Sequence, residues 1–125
     1  MVCANPDLMV NHGEKLALCA GALAVFYEQI GGAVRWHGKP YPSVYQSCFD
    51  LLGIADRSRV LAVGDSLRTD IAGANAAGID SLLIAGQGIH AAEFAPGGRL
   101  DLAHIAAAAE VAKVRPSAAA RGFVW

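Results

Sequence analysis

Two carboxylates stand where an apolar segment of the sequence ends. The residues VLAV (60–63) are followed by Gly64 and Asp65, and Asp70 comes five positions after Asp65. A carboxylate at the end of a buried strand, beside the start of a helix, is suited to hold Mg²⁺ through one oxygen. The same residues also suit a structural role, with Asp65 capping the helix and Asp70 favoured in its first turn by the helix dipole. Spacing alone leaves both interpretations open.

A lysine is the second residue whose setting suggests chemistry. Lys39 lies between Gly38 and Pro40, just after the predicted strand AVRWH (33–37). The flanking glycine and proline favour a turn with a restricted backbone. An ammonium group fixed at a strand end suits the charge of a phosphate group. The alternative is an ordinary solvated lysine in a loop.

Alternating strand and helix signals predict the framework that positions these side chains. Short segments rich in apolar residues predict strands at 2–4, 33–37, 60–63 and 81–85. Periodic apolar positions predict helices at about 16–30, 42–52, 69–77 and 101–113. The first helix is expected to begin between Leu16 and Cys19. This order is typical of the α/β class, with a parallel Rossmann-like sheet and flanking helices.

Residues at the predicted helix ends support these limits. Asp101 is expected to cap the last helix, and Gly53 and Gly78 are expected to end the second and third. A capping box before the first helix is predicted from Asn11 and Glu14. The inner face of the second helix is predicted to contain Val44, Tyr45, Cys48, Leu51 and Leu52, and that of the last helix Leu102, Ile105 and Ala109.

Length and charge limit the class of protein. A chain of 125 residues is expected to form one domain, here residues 1–115, with 116–125 as a loose tail. The net charge of −1 gives no basic surface for nucleic acid. No apolar segment approaches the ~18 residues that predict a membrane span, and no leader is visible in MVCANPD.

Composition adds two expectations. Three cysteines without CxxC spacing are expected to be reduced, which favours a cytoplasmic location. Apolar residues make up 54% of the chain and charged residues 17%. Such a composition indicates either a heavily buried α/β fold or an apolar surface that a partner covers.

Two longer stretches carry a family resemblance. HGKPYPSVYQ (37–46) and VLAVGDSLRTDIAGANAAGI (60–79) resemble, in order and spacing, the third and fourth motifs of the haloacid dehalogenase-like hydrolases. The likeness is closest to the class IIA branch, which holds phosphatases related to 4-nitrophenyl phosphatase and the nucleotide and sugar-phosphate phosphatases. ANPD (4–7) and CAGALAVFYEQIGG (19–32) also resemble that branch, where such a segment follows the cap domain.

The resemblance implies a Mg²⁺-dependent phosphatase acting on a small phosphorylated metabolite. Lys39 matches the lysine that neutralises charge on the attacking aspartate and the phosphoryl group. Asp65 matches the acid that helps hold Mg²⁺, and Asp70 matches the second acid, which supports the metal shell or the lysine. The loops expected on the phosphate and substrate side contribute Gly38, Asn5, Ser66 and Thr69.

The family's nucleophile has no counterpart in this sequence. The reaction requires an aspartate in a DxD motif on the first strand, which is phosphorylated and then hydrolysed. No aspartate here has a second aspartate two positions away. We therefore expect a partial core without the first strands and the cap, which is inactive alone. We also expect an open sheet edge beside 60–63, completed by a homodimer or by the missing N-terminal half.

Three function classes remain. The first is a phosphatase by descent, and the second is a non-catalytic fragment or pseudo-enzyme that binds metal or phosphate, or completes a partner's sheet. The third is a receiver-type domain, which the order of the lysine and acidic motifs disfavours. Turnover with Mg²⁺ separates the first class from the second.

Overall fold

The computed structural model describes residues 1–12 and 15–124. Its strands are Val2–Cys3 (β1), Met9–His12 (β2), Lys15–Leu18 (β3), Arg35–Trp36 (β4), Leu61–Gly64 (β5), Asp80–Ile84 (β6) and Ala118–Ala120 (β7). Its helices are Ala20–Gln29 (α1), Pro42–Leu52 (α2), Ala72–Ala77 (α3), Ala91–Phe94 (α4) and Leu102–Val111 (α5). A π-helical turn spans Leu67–Ile71, and turns of 3-10 helix span Arg57–Arg59 and Pro96–Gly98.

The parallel sheets confirm the predicted α/β class. β5, β6 and β7 form one parallel sheet in that order, and β1 pairs with β4 in a second parallel pair. Within the described residues, no strand ladder joins the β1–β4 pair to the β5–β7 sheet. The connection between these two parts must therefore come from loops, helices and side chains.

The segment before α1 differs from the prediction. Residues Lys15–Leu18 form an antiparallel hairpin with Met9–His12, and α1 begins at Ala20, directly after the Cys19 end of the predicted range. Pairing with β2 satisfies the backbone of these residues, and this tertiary pairing overrides the helical spacing of their apolar side chains. The predicted capping box involves Glu14, which lies outside the described residues.

The segment predicted as a loose tail contains a strand. β7 runs beside β6, with the Ser117 N–H donating to the Ser81 carbonyl at 2.9 Å and the Ala85 N–H donating to the Ala120 carbonyl at 2.8 Å. The Ser117 hydroxyl also accepts from the Ser81 N–H at 3.1 Å. Three consecutive alanines give no strand signal in the sequence, so it is the pairing with β6 that places this segment in the sheet.

Two apolar clusters pack the helices against the sheet. The first cluster consists of Leu67, Ile71, Leu83, Ala85, Phe94, Ile105 and Ala109, and the second consists of Phe49, Ala74, Ala77 and Ile79. Ile105 and Ala109 of α5 are buried as predicted, but Leu102 is exposed. The first cluster contains Leu67 and Ile71 from the turn after β5 and Phe94 from the segment after β6, so it holds both segments in place.

The inner face of α2 differs from the prediction. Phe49 is buried in the second cluster, with Tyr45 packed beside it, and the Arg57 guanidinium lies 4.7 Å from the centre of the Phe49 ring. Leu51 and Leu52 are 87% and 69% exposed. The contact with α3 therefore selects the aromatic side of the helix and leaves its leucines at the surface.

Much apolar surface is exposed, in agreement with the composition. On β5, Leu61 and Val63 are 53% and 40% exposed, while Val60 and Ala62 pack against the second cluster. Within the described part of the chain, one face of this strand is therefore left uncovered. Nor does any helix within residues 1–12 and 15–124 combine the length and apolar character needed to cross a membrane.

We expect Asp101→Ala to lower the free energy of unfolding by about 1 kcal/mol, because it removes the cap of α5. The Asp101 carboxylate accepts a hydrogen bond from the His104 N–H at 2.9 Å. Urea denaturation of the variant measures the loss. Asp101→Ser is the control, because serine retains a capping oxygen and should keep most of the stability. Equal stability of Asp101→Ala and the unaltered chain would contradict the capping role.

Candidate active site

An ion pair links the loop after β4 to the turn after β5. The Lys39 ammonium donates a hydrogen bond to Oδ1 of Asp70. The lysine side chain is 51% exposed, whereas that of Asp70 is only 8% exposed. Burial by itself would lower the pKa of Lys39, but the hydrogen bond and the charge of Asp70 outweigh it and raise that pKa. Since the ammonium form persists until the pH rises through this raised pKa, the pair is intact at neutral pH.

The second oxygen of Asp70 holds the backbone that follows β5. Oδ2 accepts hydrogen bonds from the Asp65 N–H at 3.1 Å and the Ser66 N–H at 3.0 Å. Gly64 lies against this carboxylate, and a Cβ at position 64 would come within 2.2 Å of the Asp70 Cγ. Asp70 therefore fixes both Lys39 and the start of the acidic loop, and it requires a glycine at the end of the strand.

Ser66 and Thr69 build the π-helical turn from within. The Ser66 hydroxyl accepts from the Thr69 N–H at 3.3 Å, and the Ser66 carbonyl accepts from the Asp70 and Ile71 N–H groups at 3.0 and 3.1 Å. The two residues are 7% and 2% exposed. Both are buried in the turn that orients Asp65 and Asp70, and their contact with phosphate or substrate stays a prediction.

Asp65 lies at the same edge and is held by the loop after β6. Its Oδ2 accepts a hydrogen bond from the Ile89 N–H at 2.9 Å. Gly88 has φ +78°, and a Cβ there would be 1.7 Å from the same oxygen. The sequence interpretation assigned no role to this loop, although the Gly-Gln-Gly directly after a strand was an available signal. Among the described residues, no group donates to Oδ1 of Asp65.

The hydrogen bonds of Asp65 and Asp70 determine which of their carboxylate oxygens can bind a metal ion. Asp65 has one oxygen available, while both oxygens of Asp70 are engaged. Within the described part of the chain, no group of three His, Cys, Asp or Glu residues is arranged to hold a metal ion. Mg²⁺ needs only one or two carboxylates beside water and phosphate oxygens. Asp65 therefore fits Mg²⁺ as a single ligand, and direct ligation by Asp70 stays a prediction.

Two loops meet beside the lysine because β1 and β4 are neighbours. Gly38 has φ +85°, and a Cβ there would lie 2.7 Å from the Ala4 carbonyl oxygen, so glycine permits the close approach. Asn5 is exposed in the loop after β1, and its side-chain oxygen accepts from the Asp7 N–H at 3.1 Å. Both predicted residues thus lie at the same sheet edge as Lys39, and their contact with substrate stays a prediction.

Tyr45 is a site residue that sequence reasoning placed only in the core. Its hydroxyl donates to the Asp70 carbonyl at 3.4 Å, and its ring lies where a Cβ at Gly73 would clash. Burial is the main cause of a raised pKa for Tyr45, and the charge of Asp70 adds to it. The tyrosine is therefore neutral at neutral pH and supports the segment that carries Asp70.

Arg68 is exposed, and it also makes a contact that the sequence did not indicate. Its Nη2 donates to the Pro6 carbonyl at 3.0 Å, and it lies 3.9 Å from an oxygen of Asp7. The contact joins the turn after β5 to the loop after β1. No local sequence pattern predicts a contact between Pro6 and Arg68, which are 62 residues apart in the chain.

The sequence of residues 36–115 matches the family model described as HAD-hydrolase-like. This chain belongs to the haloacid dehalogenase-like hydrolases. The matched region contains Lys39, Asp65 and Asp70, so the expected family and its class IIA branch are confirmed. The hydrolase family also accounts for the parallel sheet and for the acidic turn at its carboxyl edge.

Three relatives of this hydrolase chain show how much of a family member it represents. The ribonucleotide monophosphatase NagD of Escherichia coli K12 is 32% identical over 84 residues, covering 66% of this chain and 32% of that protein. A haloacid dehalogenase-like hydrolase from Brucella suis 1330 has a TM-score of 0.72 and 41% identity, covering 98% of this chain and 44% of its own. A glycerol phosphate phosphatase from Mycobacterium tuberculosis in complex with magnesium has a TM-score of 0.55 and 35% identity, covering 66% of this chain and 24% of its own. The chain thus spans less than half the length of each relative.

We expect Gly64→Ala to lower the free energy of unfolding by about 1–3 kcal/mol, because its methyl group meets the fixed carboxylate of Asp70. Chemical denaturation measures the change. The control is a double-mutant cycle with Asp70→Gly, in which the same added methyl should cost much less, because this change also removes the Asp70 Cβ that lies 2.5 Å from it. An identical cost in both backgrounds would show that the Asp70 contact is not its cause.

Proposed function

We propose that this chain supplies the lysine and the metal-binding carboxylate of a Mg²⁺-dependent phosphomonoesterase that acts on small phosphorylated metabolites. The observation that carries the proposal is the arrangement of Lys39, Asp65 and Asp70 at one edge, where a single buried carboxylate fixes both other groups. The phosphatase relatives and the magnesium complex among them support it.

Each side chain has a distinct task in the proposed site. Lys39 offsets the negative charge of the phosphoryl group, and its half-exposed side chain is accessible for this contact. Asp65 holds Mg²⁺ through Oδ1, because its Oδ2 already accepts a hydrogen bond from the Ile89 N–H. The bound ion supplies Lewis-acid stabilisation of phosphoryl charge. Asp70 and Tyr45 act as positioning residues, because they contact Lys39 or its partner rather than substrate.

We propose further that the 125-residue chain binds Mg²⁺ and phosphate but does not turn over substrate alone. Its sequence contains no DxD aspartate pair, and that motif provides the nucleophile and the acid of the family reaction. A cytoplasmic location belongs to the same proposal. It is supported by three free cysteines: Cys3, Cys19 and Cys48.

Titration of the chain with Mg²⁺, followed by inorganic phosphate, tests the site. We expect Asp65→Asn to weaken Mg²⁺ binding at least tenfold, because it removes the charged ligand. We expect Lys39→Met to weaken phosphate binding while Mg²⁺ binding is retained. Asp50→Asn is the matched control, since Asp50 lies on the exposed surface of α2 and should leave both affinities unchanged.

The same samples test the claim about turnover. With 4-nitrophenyl phosphate and Mg²⁺, the chain and the Asp65→Asn variant should show the same background rate. Hydrolysis that requires both Mg²⁺ and Asp65 would show that another residue supplies the nucleophile. If the unaltered chain does not bind Mg²⁺, or if Asp65→Asn binds it equally well, the proposed site itself is contradicted.

We also propose that the open edge of β5 pairs with a second copy of the chain. β5 has a strand neighbour on one side only within the described residues. Its exposed Leu61 and Val63 add apolar area that such pairing would bury. Unpaired strand edges with apolar side chains favour association, and pairing about a two-fold axis would align the two β5 strands antiparallel.

Sedimentation velocity over a concentration series should show reversible dimers that Leu61→Lys shifts towards monomer, because the charge opposes burial of this face. Leu51→Lys is the matched control, because this leucine is 87% exposed and belongs to α2 rather than to β5. A monomer at all concentrations would contradict self-pairing. Equal effects of the two lysines would place the contact elsewhere.

A further inference from the structure

Arg68 reaches from the acidic turn to the other parallel pair of strands. It follows Asp65 by three residues, and its Nη2 donates to the Pro6 carbonyl at 3.0 Å in the loop after β1. Its side chain is 53% exposed. The guanidinium is thus held at a defined place on the edge that carries Lys39 and Asp65, and it remains accessible to solvent.

The two cations of this edge are neutralised to different degrees. Lys39 is hydrogen bonded directly to the Asp70 carboxylate. Arg68 is hydrogen bonded to a neutral backbone carbonyl, and its nearest described carboxylate oxygen, on Asp7, is 3.9 Å away. That separation is beyond hydrogen-bond distance. Arg68 therefore offers the less compensated positive charge at the carboxyl edge of the strands.

The guanidinium also retains most of its hydrogen-bonding capacity. It has five N–H donors in a planar fork, and the structure gives one hydrogen bond from Nη2. A planar fork matches a carboxylate or phosphate group in bidentate geometry. Because the Pro6 contact already orders this long side chain, less conformational entropy is lost when an anion binds.

We propose that Arg68 binds a second anionic group of the phosphorylated substrate, a carboxylate or a further phosphate, while the phosphoryl group lies at Lys39 and Asp65. This assignment rests on the proposed function and narrows its substrate class to phosphomonoesters with another anion. Arg68 then determines specificity rather than rate, because its contact lies on the substrate body and not on the reacting phosphoryl group.

The competing role for Arg68 is purely structural. Its contact with Pro6 joins the loop after β1 to the turn after β5, so its removal would loosen the edge. Such loosening would weaken the binding of every ligand by a similar factor, whether or not the ligand carries a second anion. Selective recognition of a second anion would instead change the preference between two ligands that differ only in that anion.

The test compares propylphosphonate with 3-phosphonopropionate, whose sizes are similar and which differ in a terminal carboxylate. Dissociation constants are measured for the full chain with Mg²⁺ by ³¹P NMR. We expect the carboxylate ligand to bind about tenfold more tightly, as a charge-assisted hydrogen bond at an exposed site allows. Arg68→Gln should abolish this preference and leave the propylphosphonate constant unchanged. Arg99→Gln, at another exposed arginine, is the control.

Three results would overturn the assignment. Equal affinity of the unaltered chain for both ligands would exclude recognition of the second anion. A uniform weakening of both ligands in Arg68→Gln would establish the structural role instead. If neither phosphonate binds in an Asp65-dependent manner, the proposed function fails together with this inference. Asp65-dependent binding of propylphosphonate without a carboxylate preference would overturn only the role of Arg68.

Discussion

The buried carboxylate of Asp70 is the constraint on which the site depends. A buried charge is costly unless its oxygens are paired and hydrogen bonded. Here one oxygen accepts a hydrogen bond from the Lys39 ammonium, and the other accepts hydrogen bonds from the N–H groups of Asp65 and Ser66. The loop that carries Lys39 and the turn after β5 are thereby fixed relative to each other. The same carboxylate explains the glycine at the end of β5, because the carboxylate occupies the space where a Cβ of residue 64 would lie.

The site is also where the two parallel parts of the chain are joined. No strand ladder links β1–β4 with β5–β7 in the described residues. The Lys39–Asp70 pair and the Arg68–Pro6 hydrogen bond both cross between these parts at their carboxyl edge. Side chains that are suited to bind substrate therefore also carry part of the tertiary structure. Substitutions at this edge need a binding measurement beside a stability measurement before a role is assigned.

The sequence was informative where local chemistry and tertiary structure agree. Short segments rich in apolar residues ending in glycine or in the Gly38–Pro40 tripeptide marked the strands that carry Lys39 and Asp65, and the aspartate cap of α5 was recognised. The β2–β3 hairpin, the alanine strand β7 and the aromatic face of α2 were missed, because each is determined by its pairing or packing partner. Arg68 and the Gly88–Ile89 loop were missed for the same reason, since their contacts connect distant segments.

The π-helical turn between Asp65 and α3 has a consequence for how this segment tolerates changes in length. Each residue of a regular helix turns the chain by about 100°, so deleting one residue within Leu67–Ile71 would rotate α3 relative to the acidic loop. The small residues Gly73 and Ala74, which let Tyr45 and the sheet approach closely, would then face another direction. The acids at one end and the small residues at the other thus fix the number of residues between them. An insertion or deletion within this turn would therefore disturb the acids and the helix packing together.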